Sequence, residues 1–246
     1  MEKMNNQVTI IIPTLNEIDG LKWFMPRLKK EWYDELIIVD GNSTDGTIEY
    51  CRQNGYPIFI QSQKGPPNAY EEAFKRSTKD IIVTITPDGN SVPELIPELV
   101  ERIREGYDMV IASRYIGSAK SDDDDMVTWF GNRMFTALTN ILFGAHYTDI
   151  LVGFRAYRRG SIDKMRLYNQ DKTNWLRKRF VQMNSWDPGS SLRAAKLKLK
   201  VCDIPGDEPK RIGGERKLSI IKAGFGVLFQ ILYEFITDCN FDKQVS

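Results

Sequence analysis

Histidine is nearly missing: there is one in 246 residues, His146. A lone imidazole leaves no material for a histidine-based zinc centre and argues against Ser-His-Asp catalysis. Cysteine is scarce too. Cys51, Cys202 and Cys239 lie far apart, fit no metal-ligand spacing and cannot all pair, which suits packing roles in a reducing compartment. Neither sign of charge dominates, with 34 Lys plus Arg against 33 Asp plus Glu and a net charge of +1. Nothing general recommends nucleic acid as a partner, and any anionic ligand must be met locally. The chain lacks a run of about twenty uncharged apolar residues, and its amino terminus lacks a charged stretch leading into an apolar one. It is therefore expected neither to span a membrane nor to be secreted. A Gly-rich phosphate loop with Arg and Lys is absent after "IIIPT", which argues against a nucleotidyltransferase. What remains for chemistry is carboxylates, amides and cations.

What the sequence does have is alternation of two kinds of segment. "VTIIIPT" (8–14), "ELIIVDG" (35–41), "YPIFIQS" (56–62), "DIIVTIT" (80–86) and "DMVIASRY" (108–115) are short β-branched runs with little polar alternation, as in strands buried on both faces. Helix-like stretches lie between them. Ser43 and Thr44 are candidate caps for the first, Pro66 and Pro67 suit the first turn of the second, and Pro93 opens the third. The expected fold is α/β, a mostly parallel sheet with right-handed crossovers flanked by helices, and the length suits one domain. "SAKSDDDD" (118–125) reads as an exposed, solvated loop. Two further segments are strongly apolar: 126–147, which carries Arg133, and 218–236, which carries Lys222, Gln230 and Glu234. Each suits a core helix or, as an amphipathic helix, a membrane interface.

Ligands of an open parallel sheet bind at the carboxyl ends of its strands. The residues expected there are Pro13, Thr14, Asn16 and Glu17 after the first strand and Asp40, Asn42 and Ser43 after the second. Gln63, Lys64 and Gly65 follow the third, Asp88 and Asn90 the fourth, Ser113 and Arg114 the fifth. Acids and amides suit a base, a ribose or a metal, while Lys64 and Arg114 suit phosphates.

"VTIIIPTLNE", "LIIVDGNSTDGT", the turn "PDGN", "VIASRY", "DILVGFRAYRR" and "RIGGERKL" come in an order that resembles the family 2 inverting glycosyltransferases. The last three resemble the polyprenyl (dolichyl) phosphate mannosyltransferase branch. The likeness runs over about residues 8–218. It implies a GT-A-type, Rossmann-like fold: a nucleotide-sugar half (8–115), an acceptor half (116–217) and an amphipathic helical segment (218–237). It also implies that Pro13, Glu17 and Asp40 hold the nucleoside of a GDP- or UDP-linked sugar. Asp88, Asn90 and Asp149 would hold a divalent cation, Mg2+ or Mn2+, on the rigid turn that ends the fourth strand. Arg211 and Lys217 would bind a phosphate, helped by two glycines that let backbone amides approach an anion.

The departures from that pattern shape the chemistry. Thr86 stands where the first acid of an Asp-X-Asp motif is expected, Gly41 replaces an acid after Asp40, and Val152 and Arg216 replace small hydroxyl residues. Loss of a carboxylate weakens a hard-cation site, so the resemblance also leaves room for a catalytically weakened sugar-nucleotide binder. A lipid phosphate acceptor needs no general base, because its oxygen is already anionic. A sugar hydroxyl does need one, and Asp187 in "NSWDPGSS" is the candidate. Trp186 beside it suits either stacking on a ring or core packing. The expected location is the cytoplasm, with peripheral contact at the inner face of a membrane.

Overall fold

The computed structural model describes residues 7–168, 185–213 and 220–237. Among them, β1 (Val8–Thr14), β2 (Glu35–Asp40), β3 (Ile58–Ile60), β4 (Ile81–Thr84), β5 (Met109–Ser113), β6 (Arg155–Arg158) and β7 (Val201–Pro205) form one sheet in the order β3-β2-β1-β4-β6-β5-β7. Every pairing is parallel except those of β6, which runs antiparallel between β4 and β5. The helices are α1 (Ile18–Phe24), α2 (Thr47–Gln53), α3 (Pro66–Arg76), α4 (Ile96–Arg104), α5 (Met126–Phe143), α6 (Arg159–Met165), α7 (Trp186–Lys196) and α8 (Ile220–Ile236).

The absence of polar alternation in the strands has a direct cause. Ile10, Ile12, Ile38, Val83 and Val110 point into one core with Leu21, Phe24, Leu99 and Ile103. Ile11, Val39, Ile82 and Ile111 point the opposite way, against Tyr70, Phe74, Tyr157, Trp186 and Leu192. Both faces are covered, so each strand must be apolar throughout. Trp186 is thus a core residue, stacked on Tyr70 with ring centroids 5.4 Å apart. The five expected strands are present, the first over its full expected span and the others trimmed at their ends, and the third keeps only three residues.

Two expectations about local structure change. Ser43 does not cap α2. Its hydroxyl donates to Asp40 Oδ2 at 2.7 Å and accepts from the Asn16 amide at 2.8 Å, tying the β1 and β2 ends together. The acidic loop is not uniformly solvated either: Asp125 caps α5 by accepting from the Thr128 amide at 2.7 Å, and the Asp124 side chain is only 4% exposed.

Helix α8 is built opposite to an ordinary surface helix. Two of its polar residues face inward: Glu234 accepts from Arg193 Nε at 2.8 Å and pairs with Lys196 Nζ at 3.1 Å, and Gln230 Nε2 donates to the Ser185 carbonyl at 3.1 Å, while Lys222 is exposed. These bonds fasten α8 to α7. The outward side presents Phe225, Phe229, Leu232, Phe235 and Ile236 to solvent.

Candidate active site

β4 ends in the turn 86–91. The Ile85 amide donates to the Ile11 carbonyl at 3.2 Å, which carries the β1 pairing one residue past the strand and fixes where the turn begins. Two glycines let other segments close on it. A Cβ at Gly20 of α1 would lie 2.4 Å from the Pro87 carbonyl oxygen, so α1 packs directly against the turn. Gly89 has φ +82°, a left-handed conformation, and a Cβ there would sit 2.6 Å from the Ile212 side chain. The Ile212 amide donates to the Asp88 carbonyl at 2.7 Å. The 206–213 segment is therefore fastened to the turn by both backbone and side chain.

The turn gathers oxygens. Thr86 Oγ1 donates to Asp88 Oδ1 at 3.0 Å and lies 3.4 Å from Asn90 Oδ1. Arg211 Nη1 sits 3.0 Å from Asp88 Oδ2, a cation already held on the one buried carboxylate of the turn. A carboxylate, an amide oxygen and a hydroxyl within this spacing are hard donors of the kind Mg2+ or Mn2+ takes. The donor set fits a divalent cation completed by other oxygens, although one carboxylate makes it poor in charge. Among the described residues no cluster of three or more His, Cys, Asp or Glu side chains is arranged to hold a metal alone.

A cavity of about 630 Å³ opens from the turn. Thr86, Asp88, Asn90, Arg114, Asp187 and Arg211 all line it, so five site residues expected from separate parts of the chain meet in one space together with Thr86. Two of the expected site residues meet each other. Asp149 is fully buried, and its oxygens accept from Arg114 Nε at 2.6 Å and Nη2 at 3.0 Å. Its Oδ1 also takes the Leu151 and Val152 amides at 3.0 and 3.3 Å. As placed, Asp149 serves as the counter-ion of Arg114. Arg114 in turn is not a free phosphate donor. Its remaining nitrogen, Nη1, lies 3.3 Å from both Glu208 oxygens and 3.7 Å from Asp124 Oδ1. Three carboxylates enclose one guanidinium. Burial pushes the Glu208 carboxyl up from its ordinary value, and the charge of Arg114 offsets this only in part.

Asp187 stands in the first turn of α7 and faces the same cavity. Its Oδ1 is buried with no hydrogen-bond partner. Burial pushes its carboxyl up to about 6; nearby Arg155 opposes the shift and Asp149 adds to it. A carboxylate poised near neutrality is what general-base chemistry requires. Arg155, fully buried, collects the Ile150, Val152 and Asp187 carbonyls at 2.7 Å each, together with the Ser190 and Ser191 hydroxyls. It pins the 149–153 loop to the start of α7.

The expected nucleoside residues lie at the strand ends away from this cavity. Asp40 is fully buried and accepts from Thr14 Oγ1, Ser43 Oγ and the Ser43 amide, each at 2.7 Å. It braces the β1–β2 edge, so contact with a base requires exchanging one of these bonds. Pro13 and Glu17 are half-buried at the β1 end, and Lys64 is exposed in the β3–α3 loop. None of the four lines the cavity. Lys217 lies outside the described residues.

The far end of the cavity is apolar. Val127, Phe130, Met134 and Phe135 of α5 face Ala223, Gly224 and Val227 of α8. Val127, Phe130 and Met134 are also exposed at 67%, 63% and 44%, so the cavity wall continues into the outer surface. Asp124 and Glu208 escaped the sequence reading as lining residues, and the two apolar helices were seen there only as composition. The rule about strand ends would have reached Glu208 had β7 been recognised.

A sheet of this order, with a polar turn after β4 and a cavity beside it, defines the GT-A class. Its fold is similar to glucosyl-3-phosphoglycerate synthase of Mycobacterium tuberculosis, solved with Mn2+, UDP-glucose and phosphoglyceric acid: the TM-score is 0.68 at 18% identity, covering 95% of this chain and 81% of that one. The model of glycosyl transferase family 2 matches residues 9–166. The chain belongs to that family and is a glycosyltransferase. It is 27% identical over 227 residues to the undecaprenyl-phosphate mannosyltransferase of Micrococcus luteus, covering 87% of this chain and 88% of the relative. To the dolichol-phosphate mannosyltransferase of Pyrococcus furiosus it is 32% identical over 125 residues, 48% of this chain and 36% of that one. An undecaprenyl-phosphate 4-deoxy-4-formamido-L-arabinose transferase from an Enterobacter species is 26% identical, covering 94% of this chain and 67% of the relative.

Proposed function

We propose that this glycosyltransferase moves a sugar, with inversion, from a GDP- or UDP-linked donor to a polyprenyl phosphate at a membrane surface. One observation carries the reading. The cavity joins a polar end, with Asp88, Asn90 and Arg211, to an apolar end between α5 and α8 that opens onto exposed hydrophobic surface. An amphiphile with a phosphate head and an isoprenoid tail matches that gradient along its length, whereas a water-soluble sugar does not. The names of the relatives agree with it.

In this scheme Asp88 and Asn90, with Thr86 beside them, would hold a divalent cation, which would offset charge on the leaving diphosphate. Asp149 and Arg114 form the rigid floor. Arg211 and Lys217 steer the acceptor phosphate, whose oxygen is anionic at neutral pH and attacks without a base. The apolar helices exclude water from the reacting centre. Membrane contact falls to Phe225, Phe229, Phe235, Phe130 and Trp129, the last with the Arg133 guanidinium 5.3 Å above its ring. Among the described residues no helix is long and apolar enough to cross a bilayer, so this contact is interfacial, and we place it at the cytoplasmic face.

A second reading rests on Asp187. Its unpartnered buried oxygen and raised carboxyl value are those of a base for a hydroxyl acceptor. A transfer assay with GDP- and UDP-sugars separates the two, comparing a polyprenyl phosphate with the polyprenol and with soluble sugars. Transfer to the phosphate alone, retained by Asp187→Asn, supports the lipid phosphate. Transfer to a hydroxyl, abolished in Asp187→Asn, replaces it with base catalysis.

A further inference from the structure

The cavity poses an electrostatic difficulty for an anionic acceptor. Among the described residues six carboxylates line it, Asp88, Asp123, Asp124, Asp187, Asp207 and Glu208, against two cations, Arg114 and Arg211. Arg114 is enclosed by Asp149, Glu208 and Asp124. Arg211 is different: its side chain is 24% exposed, and its described ion pair is the single 3.0 Å contact with Asp88 Oδ2. Arg211 therefore lies on the very carboxylate that a divalent cation needs, within the segment expected to bind a phosphate.

We propose that Arg211 is a latch that makes binding sequential. In the free protein its guanidinium neutralises Asp88. A divalent cation arriving with the nucleotide competes for the same carboxylate and displaces the guanidinium. The freed Arg211, still tethered beside the turn by the Ile212 amide on the Asp88 carbonyl at 2.7 Å, then faces the cavity as a donor for an anion. The acceptor phosphate site is thus completed only after the donor is loaded, which disfavours acceptor binding to an empty enzyme. Thr86 belongs to the same design. With a second carboxylate in its place, a cation and Arg211 could each keep a partner, and the competition would be lost. The identity of the second anion rests on the function proposed above; the competition itself does not.

Two measurements on the full chain test this without any acceptor. The first is Mn2+ binding by calorimetry and by electron paramagnetic resonance, with and without UDP, for wild type, Arg211→Gln and Arg211→Lys. Removing the competing charge should tighten Mn2+ binding by roughly twofold to fivefold in Arg211→Gln, as expected for a partly exposed ion pair. Arg211→Lys, which keeps the charge, should stay near wild type. Unchanged, weaker or absent Mn2+ binding in Arg211→Gln overturns the latch. The second measurement needs no variant: labelling of wild type with phenylglyoxal, read at Arg211 by mass spectrometry. Saturating Mn2+ should speed modification of Arg211 as the guanidinium is released, and an unchanged or slower rate overturns the proposal. Failure to glycosylate polyprenyl phosphate would instead sink the functional reading and leave these two results standing.

Discussion

Replacing Asp149 by Asn separates a structural carboxylate from a metal ligand. In the folded protein Asp149 is fully buried and holds Arg114 through contacts of 2.6 and 3.0 Å. Removing one partner of a buried ion pair costs about 3–5 kcal/mol, because the other charge is left uncompensated. Here the cost falls at the low end, about 3 kcal/mol: Arg114 keeps Glu208 at 3.3 Å and Asp124 at 3.7 Å. The asparagine oxygen can also still accept the Leu151 and Val152 amides. With a urea slope of about 2–3 kcal/mol/M, the unfolding midpoint should drop by roughly 1–1.5 M at unchanged slope. Mn2+ affinity should stay within about twofold of wild type, since Asp149 faces Arg114 rather than the 86–91 turn. The companion Arg114→Met leaves Asp149, Glu208 and Asp124 crowded without a cation, so it should lower the urea midpoint at least as far as Asp149→Asn does. A midpoint that holds in Asp149→Asn while Mn2+ binding disappears would refute the buried-pair reasoning and make Asp149 a ligand after all.

Asp187 gives a pH prediction. Its carboxyl is raised from 3.8 to about 6 by burial, so the folded state holds the proton that the unfolded state releases, and stability falls as pH rises through that window. Asp187→Asn escapes this loss, and its stability relative to wild type should grow by up to roughly 3 kcal/mol between pH 4 and pH 8; a pH-independent difference in urea unfolding denies the buried, strained carboxylate. Gly89→Ala must adopt φ +82° and push on Ile212, so it should destabilise by about 1–3 kcal/mol and loosen the 206–213 segment, seen as faster amide exchange there. Exchange at the wild-type rate would show that the close approach is not maintained in solution. Thr86→Asp adds a hard anionic oxygen beside Asp88 and should tighten Mn2+ binding in a calorimetric titration; equal affinities place Thr86 away from the cation. Phe225→Ser with Phe229→Ser should reduce flotation with anionic liposomes severalfold while leaving nucleotide binding intact, and undiminished flotation removes α8 from the membrane contact.

The half of the fold with apolar, two-face-buried strands was legible, because burial on both sides leaves a composition that few other environments produce. β6 was not. Its sequence, Arg-Ala-Tyr-Arg, looks like surface, yet Arg155 is buried because its guanidinium meets carbonyls and hydroxyls from two segments. A side chain's partners decide its burial, and partners distant in sequence leave no periodic trace. The same limit applies to the site. Asp88, Asn90 and Arg211 could be placed by position along the chain, but the pairing of Asp149 with Arg114, 35 residues apart, could not. Two residues individually suited to cation and phosphate instead satisfy each other. The apolar segment of α8 was visible as composition. Its inverted facing was not, since that depends on Arg193 and Lys196 waiting on α7 for Glu234.

The most direct measurement is the structure of the product. Wild-type protein, a nucleotide sugar, Mn2+ and a polyprenyl phosphate in liposomes should give a chloroform-soluble lipid. Its phosphorus NMR resonance should move from monoester to diester, and proton coupling at the anomeric carbon should report a configuration opposite to that of the donor. A phosphate that remains a monoester while the sugar appears on a hydroxyl, with Asp187→Asn inactive, would contradict attack by a lipid phosphate.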